Sequence, residues 1–385
     1  FVGAIVSLST LGAAIGKFAN GFVCKSIGGR MAGSFYLLGL SAFSLLLSTT
    51  TSLHGIAIAG MEFCASIMWT ACTVIIANRY ARDPKKFSTA IMTLSLGSTG
   101  GILLAKTLGT ALLCSYHWRQ VARVSSIMAL IGSMIMFWVV EDVAREKRMR
   151  SILWTKGGSQ DNRSGLNAIF DSAFRVLSNR AFWMVGFGHA TAFLARSSDK
   201  LLGAFVRDVT GLPIYLCGSL TSSVTIGFVI GLISGRKIDS LESPGERRMF
   251  TSRRYRRAAF SAMGLALCAN RSFGVFLGNT ILAIAITVAS GIMASSVAYQ
   301  FYQFPTAFGR SFDDDRAVCI SFLDGIACLV ASPIWSIVSR LVASARLGSH
   351  GWSLAWLVIA SLFGIGGNVM MRTLSSVIPS AREER

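Results

Sequence analysis

The chain has 385 residues, 52% of them hydrophobic and 14% charged, and its 37 Lys and Arg against 18 Asp and Glu give a formal charge of +19. Soluble domains carry about 25% charged residues, so this composition excludes an ordinary soluble enzyme. Apolar stretches of about 20 residues, enough to cross a hydrocarbon core about 30 Å thick, recur along the whole length and predict an all-α membrane protein whose partner is the lipid bilayer.

In chain order, spans are expected at 2–22, 31–50, 54–78, 88–114, 121–141, 181–206, 213–235, 257–270, 273–303, 316–343 and 351–372. The eighth is short, and Asn270-Arg271 marks its boundary with the ninth. The polar segment 142–178, with Arg145-Glu146-Lys147-Arg148 and Gly157-Gly158-Ser159, divides five spans from six. This split fits two pseudo-symmetric six-helix halves whose first helix precedes Phe1. The expected divisions are an N-terminal half 1–141, a linker 142–178, a C-terminal half 179–373 and a tail 374–385.

Twenty-seven of the 37 basic residues fall in alternate loops, at the span ends beside them or at the C-terminus, whereas only Arg119, Arg123, Arg207, Arg271, Arg340 and Arg346 fall in or beside the opposite loops. The positive-inside rule then puts the linker and the C-terminus on the cytoplasmic face. Charge gathered in the loops of a multi-pass protein does not point to nucleic acid. The eight cysteines form no C-x-x-C pair and no metal-ligand spacing with His, so they read as small buried hydrophobes. No metal and no cofactor are expected, and no nucleophile–base pattern suggests catalytic residues.

Inside the spans lie Lys17, Lys106, Arg196, Lys200, Asp199, Glu62 and Asp324. An ionisable group at the centre of a membrane helix costs on the order of 3 kcal/mol, so such groups face water or a partner and mark pathways. Lys17 and Arg196 would suit an anion, since a guanidinium engages two oxygens together and an ammonium supplies a point charge. Each has a plainer reading. Arg196, Asp199 and Lys200 at i, i+3 and i+4 can pair along one helix face. Lys17, near the end of its span, can snorkel, and for Lys106 snorkelling is the simpler reading. Asp324, followed by Gly325, takes a proton, binds a cation or closes a helix contact. Glu62 is either a proton site or a hydrogen-bonded structural acid.

Some of these residues sit in recognisable patterns. Gly16 to Arg30, where the first span meets a basic loop, resembles the G-x-x-x-D-R-x-G-R-R loop between the second and third helices of the major facilitator superfamily, with Gly21, Gly28 and Arg30 in place. Lys25 stands at the signature aspartate and Ser26 at its arginine. A partial second copy, Gly235-Arg236-Lys237-Ile238-Asp239, keeps the acid, and His117-Trp118-Arg119 is similar to the superfamily's G-W-R boundary. Within that superfamily, Lys17-Phe18-x-x-Gly21, Trp69-Thr70-Ala71-Cys72, Phe193-Leu194-Ala195-Arg196 and Phe322-Leu323-Asp324-Gly325 resemble elements of the organophosphate:phosphate antiporters. That family's helix-5 histidine is replaced by Gly97.

The resemblance implies a monomeric secondary transporter working by alternating access, exchanging a small organic anion such as a sugar phosphate or glycerol phosphate for phosphate. It implies substrate binding by Lys17, Arg196 and Trp69, a functional place for Asp324, and conformational loops around Gly21, Gly28, Arg30, Gly235 and Asp239; from their place inside the spans, Lys200 is a further candidate for substrate binding and Asp324, Glu62 and Asp199 are the candidates for coupling or gating. A proton-coupled carrier of another metabolite and a non-transporting receptor or scaffold of the same fold stand as alternatives, because one scaffold hosts many functions.

Overall fold

A computed structural model describes residues 2–50, 52–80, 83–141, 165–241, 243–270, 276, 278–344 and 350–377. All regular structure among them is helical. The chain runs α1 (Val2–Ile27), α2 (Gly29–Thr49), α3 (His54–Ala65), α4 (Ile67–Arg79), α5 (Pro84–Ser115), α6 (Trp118–Trp138), α7 (Gly165–Leu177), α8 (Arg180–Ser197), α9 (Asp199–Thr210), α10 (Ile214–Leu220), α11 (Ser222–Gly235), α12 (Pro244–Cys268), α13 (Asn279–Gly309), α14 (Arg316–Ala343) and α15 (His350–Val377), with 3-10 turns at Arg236–Ser240 and Arg310–Asp315.

Among the described residues, eight stretches are long and apolar enough to cross a membrane: Gly29–Thr49, His54–Arg79, Lys85–Leu113, Trp118–Trp138, Leu216–Ile238, Asn279–Phe312, Arg316–Ala343 and His350–Thr373. The spans expected at 2–22, 181–206 and 257–270 are helical too, within α1, across α8 and α9, and within α12. The α8–α9 stretch carries Arg196, Asp199 and Lys200, and α12 carries six arginines, which lowers their hydropathy.

The short eighth span is part of a longer helix. Ser243 caps α12 by accepting from the Gly245 amide at 3.2 Å, Pro244 fits the first turn where no amide partner is needed, and Glu246 supplies the first-turn acid. These start signals extend the helix to 25 residues, well ahead of the apolar run. Its end falls near the expected Asn270 boundary, and residues 271–275 lie outside the described set.

The chain forms two compact units. One comprises Phe1–Ile91, Tyr116–Trp183 and Thr306–Leu329, and the other Met92–Ser115, Met184–Pro305 and Val330–Arg385, so α5, α8, α13 and α14 each contribute to both.

In the first unit α2 packs along α6 through small residues. Ser34, Ser41 and Ser48 recur every seven residues on the buried side of α2, and Ala122, Ser126, Ala129 and Ser133 line α6. Two contacts stitch the pair: Ser126 donates to the Ser41 carbonyl at 2.8 Å, and Ser133 to the Ser34 carbonyl at 2.8 Å. In lipid there is no hydrophobic drive between helices, so close approach of small residues and interhelical hydrogen bonds do the holding. In the second unit α12 packs along α15, with Tyr255 against Gly367 and its hydroxyl donating to the Gly188 carbonyl at 3.0 Å.

Ser133→Leu forces a branched side chain into the α2–α6 seam and removes its hydrogen bond. A loss of about 1–3 kcal/mol is expected, measured as a lower melting temperature in detergent. Leu108→Val, at an exposed site, is expected to change little.

Candidate substrate and coupling site

Lys17, Glu62, Lys106, Arg196, Asp199 and Asp324 are all found in ion pairs or hydrogen bonds, and three lysine–aspartate pairs follow one pattern. In the first unit, Lys17 on α1 places its Nζ 2.6 Å from Asp324 Oδ2 on α14, with side chains 14% and 11% exposed. The pairing depends on a close helix approach. A Cβ on Gly21 would lie 2.7 Å from the Val318 Cα, so only glycine fits there. One turn apart on α1, Phe18 and Phe22 both meet Phe322 edge-on, at 5.2 and 5.5 Å, and the Ser321 hydroxyl donates to the Lys17 carbonyl. Asn20, on the same α1, donates to Ser66 at 2.9 Å, where α3 gives way to α4. Glu62 on α3 accepts from Ser9 at 2.9 Å.

At the end of α1 the loop motif is rebuilt with opposite sign. Lys25, at the position of the signature aspartate, sets its Nζ 2.7 Å from Asp315 Oδ1, while Arg175 of α7 reaches Oδ2 at 2.6 Å. Lys25 also donates to Ser172 at 2.7 Å. Burial raises the Asp315 pKa, but hydrogen bonds from Arg175, Lys25 and Ser172 outweigh it and hold the carboxyl down to about 2. Gly28, at φ 85° and ψ 157°, occupies a backbone region open essentially to glycine, and lets α2 start directly after α1. Arg30 lies over the Phe137 ring at 5.4 Å.

In the second unit Asp199, at the start of α9, holds two cations. Lys106 Nζ of α5 stands 2.9 Å from Asp199 Oδ2 and Arg196 Nη1 of α8 stands 3.3 Å from the same oxygen. Lys106 also lies 3.5 Å from the Thr225 hydroxyl, and the Arg196 guanidinium sits over Phe228 at 5.5 Å. The backbone passes from α8 to α9 through Ser198 in the right-handed helical region, which keeps Arg196 and Asp199 one turn apart. The cluster carries one net positive charge. Beside it, His189 stacks on Phe301 at 5.0 Å.

Of the expected residues, then, Lys17 meets Asp324 and Arg196 meets Asp199. Trp69 packs against the apolar cluster of Ala77, Phe87 and Ile91, Lys200 is exposed, and Gly235 is buried at the end of α11. The Asp239 side chain lies outside the described residues. Lys106, Asp315 and Arg175 were not singled out as site residues by sequence reasoning. The run Asp313-Asp314-Asp315, in a chain with 18 acids, was the available signal for the second cluster. Among the described residues no group of three His, Cys, Asp or Glu is arranged to hold a metal.

The sequence profile described as "Major Facilitator Superfamily" matches residues 1–312. The chain belongs to this superfamily. It is therefore a multi-pass membrane transporter, of a class that binds small-molecule substrates and usually works as a monomer. Among curated proteins no match is found. Among solved structures, the proton:xylose symporter XylE, determined with 6-bromo-6-deoxy-D-glucose, superposes with a TM-score of 0.66 at 14% identity, over 96% of this chain and 85% of that one. At that identity the likeness concerns the superfamily fold.

Two measurements check the site. Gly21→Val is expected to push α1 from α14 and destabilise the protein by about 1–3 kcal/mol, whereas Gly97→Val, where a Cβ meets nothing within 4 Å, is expected to leave the melting temperature unchanged. Asp315→Asn is expected to lower it by a constant amount between about pH 5 and pH 8. A carboxyl depressed in the folded state stabilises above its unfolded pKa and loses that contribution only as pH falls through the folded value.

Proposed function

We propose that this transporter carries a small organic anion by alternating access, with Arg196 and Lys106 receiving the substrate. The supporting observation is the cluster at Asp199, where one carboxylate faces two cations. Uncompensated charge within a span is unfavourable, and an anionic substrate supplies what the cluster lacks. Arg196 offers two parallel donors to a phosphate or carboxylate and Lys106 a mobile third. A phosphorylated sugar or glycerol phosphate exchanged for inorganic phosphate fits this chemistry.

A second observation supports alternating access between halves 1–141 and 179–373, joined by 142–178. Lys17–Asp324, Lys25–Asp315 and Lys106–Asp199 each join a lysine of the first half to an aspartate of the second. Halves that rock against each other must break such pairs on one side, so the pairs act as latches. The Lys17–Asp324 pair also favours a second reading, proton-coupled carriage, in which Asp324 takes up a proton when Lys17 leaves it.

The test is counterflow in proteoliposomes loaded with inorganic phosphate and offered labelled phosphate, glycerol 3-phosphate or glucose 6-phosphate. Uptake that depends on internal phosphate is expected, with Arg196→Ala or Lys106→Ala reducing it at least about tenfold, the scale of one lost charged hydrogen bond. Absence of exchange by correctly inserted protein overturns the anion assignment. For the latch, Lys17→Asp and Asp324→Lys are each expected to impair transport and together to restore it. Failure of the swap, with substrate-driven proton movement lost in Asp324→Asn, favours the proton-coupled reading.

A further inference from the structure

The N-terminal half of α12 carries Arg247, Arg248, Arg253, Arg254, Arg256 and Arg257. Two of these are committed to the protein. Arg254, 7% exposed, donates to the Gly231 carbonyl at 3.2 Å and to Ser234 Oγ at 2.5 Å and lies over Phe250 at 5.0 Å. Arg247 donates to the Leu241 carbonyl at 2.8 Å. The other four are exposed; Arg253 donates to the Met249 thioether at 3.4 Å, and among the described residues none of the four forms an ion pair.

Their register shows what they face. Phe260, Met263 and Leu267 are 68%, 44% and 63% exposed, and at spacings of three and four they form one stripe of α12. On a helix read as spanning the bilayer, that stripe faces hydrocarbon. Continued toward the N-terminus at the same spacing, it runs through Arg256 and Arg257 to Arg253 and Met249. The Cα rise from Phe260 to Arg256 is about 6 Å. The cations therefore continue the exposed apolar stripe on the same side of α12, one to two turns before Phe260. Arg254, fixed to α11, and the Ser243 cap hold the helix in this register.

We propose that Arg253, Arg256 and Arg257 form a docking surface for anionic phospholipid headgroups of the cytoplasmic leaflet. The argument is charge complementarity combined with a continuous lipid-facing stripe, and it rests on the reading of α12 as membrane-spanning but not on the substrate. Each basic residue near such a surface contributes roughly a factor of five in binding. Removing three is therefore expected to weaken it about a hundredfold.

The full chain, purified in detergent, would be titrated with phosphatidylserine or phosphatidylcholine and bound lipid counted by native mass spectrometry. Phosphatidylserine is expected to bind the wild type in preference to phosphatidylcholine and to survive excess inorganic phosphate. That preference is expected to disappear when Arg253, Arg256 and Arg257 are all changed to Gln, and to persist when all three are changed to Lys. Equal retention of phosphatidylserine by wild type and the Gln variant overturns the proposal. So does displacement by inorganic phosphate, which would mark a free-anion site, or stronger capture of a soluble acidic peptide or RNA than of lipid. Bromine on lipid acyl chains quenching a probe on Phe260→Cys tests the spanning reading separately, since quenching is expected there whether or not headgroups bind.

Discussion

A charge inside a bilayer has to be answered by another charge, and that constraint organises this protein. Lysines at 17 and 106 are each matched by an aspartate from a distant part of the chain, at 324 and 199, and outside the spans Lys25 is matched in the same way by Asp315. Low dielectric makes such pairs strong and makes either partner alone costly. They tie together segments that no covalent link constrains. A transporter needs contacts that are specific yet breakable, and ion pairs supply this better than extensive apolar seams, because water or a ligand entering the site can take the place of either partner.

The close approaches that permit these pairs come from small residues. Gly21 admits the Val318 backbone, and the heptad serines of α2 admit α6. Where the backbones draw near, short side chains such as Ser321 can reach across, and Lys17 needs no extended reach to find Asp324. Packing and electrostatics are thus one problem: the glycine that removes steric bulk also fixes the distance over which the charges act.

The clusters differ in charge balance. Lys17 and Asp324 neutralise one another within the first unit. Asp315 faces two cations outside the spans, where its depressed pKa keeps it ionised across the physiological range. Asp199 faces two cations inside the second unit, against Thr225 and Phe228. An excess positive charge beside an aromatic wall and a hydroxyl is a polar site with an apolar side, the general composition of small-molecule sites. The inverted loop motif is a coherent substitution, since Lys25 finds an acid at Asp315.

Much of the fold was legible in the sequence, because membrane helices announce themselves by length and hydropathy and loops by their arginines. The helical content and the superfamily signature both follow from such local patterns. So does the Arg196–Asp199 contact, since residues three apart along a continuous helical backbone are neighbours whatever the fold. Partners at large separation were not legible. Lys106 reads as a snorkelling residue, yet it meets Asp199, and Lys25 reads as a broken motif until Asp315 is brought to it. The length of α12 was hidden as well, because six arginines mask a helix that hydropathy alone would start only after them. Sequence determined which side chains are too polar for lipid; only tertiary structure decided which of them answer one another, because an ion pair depends on distance in space and leaves no periodic trace along the chain.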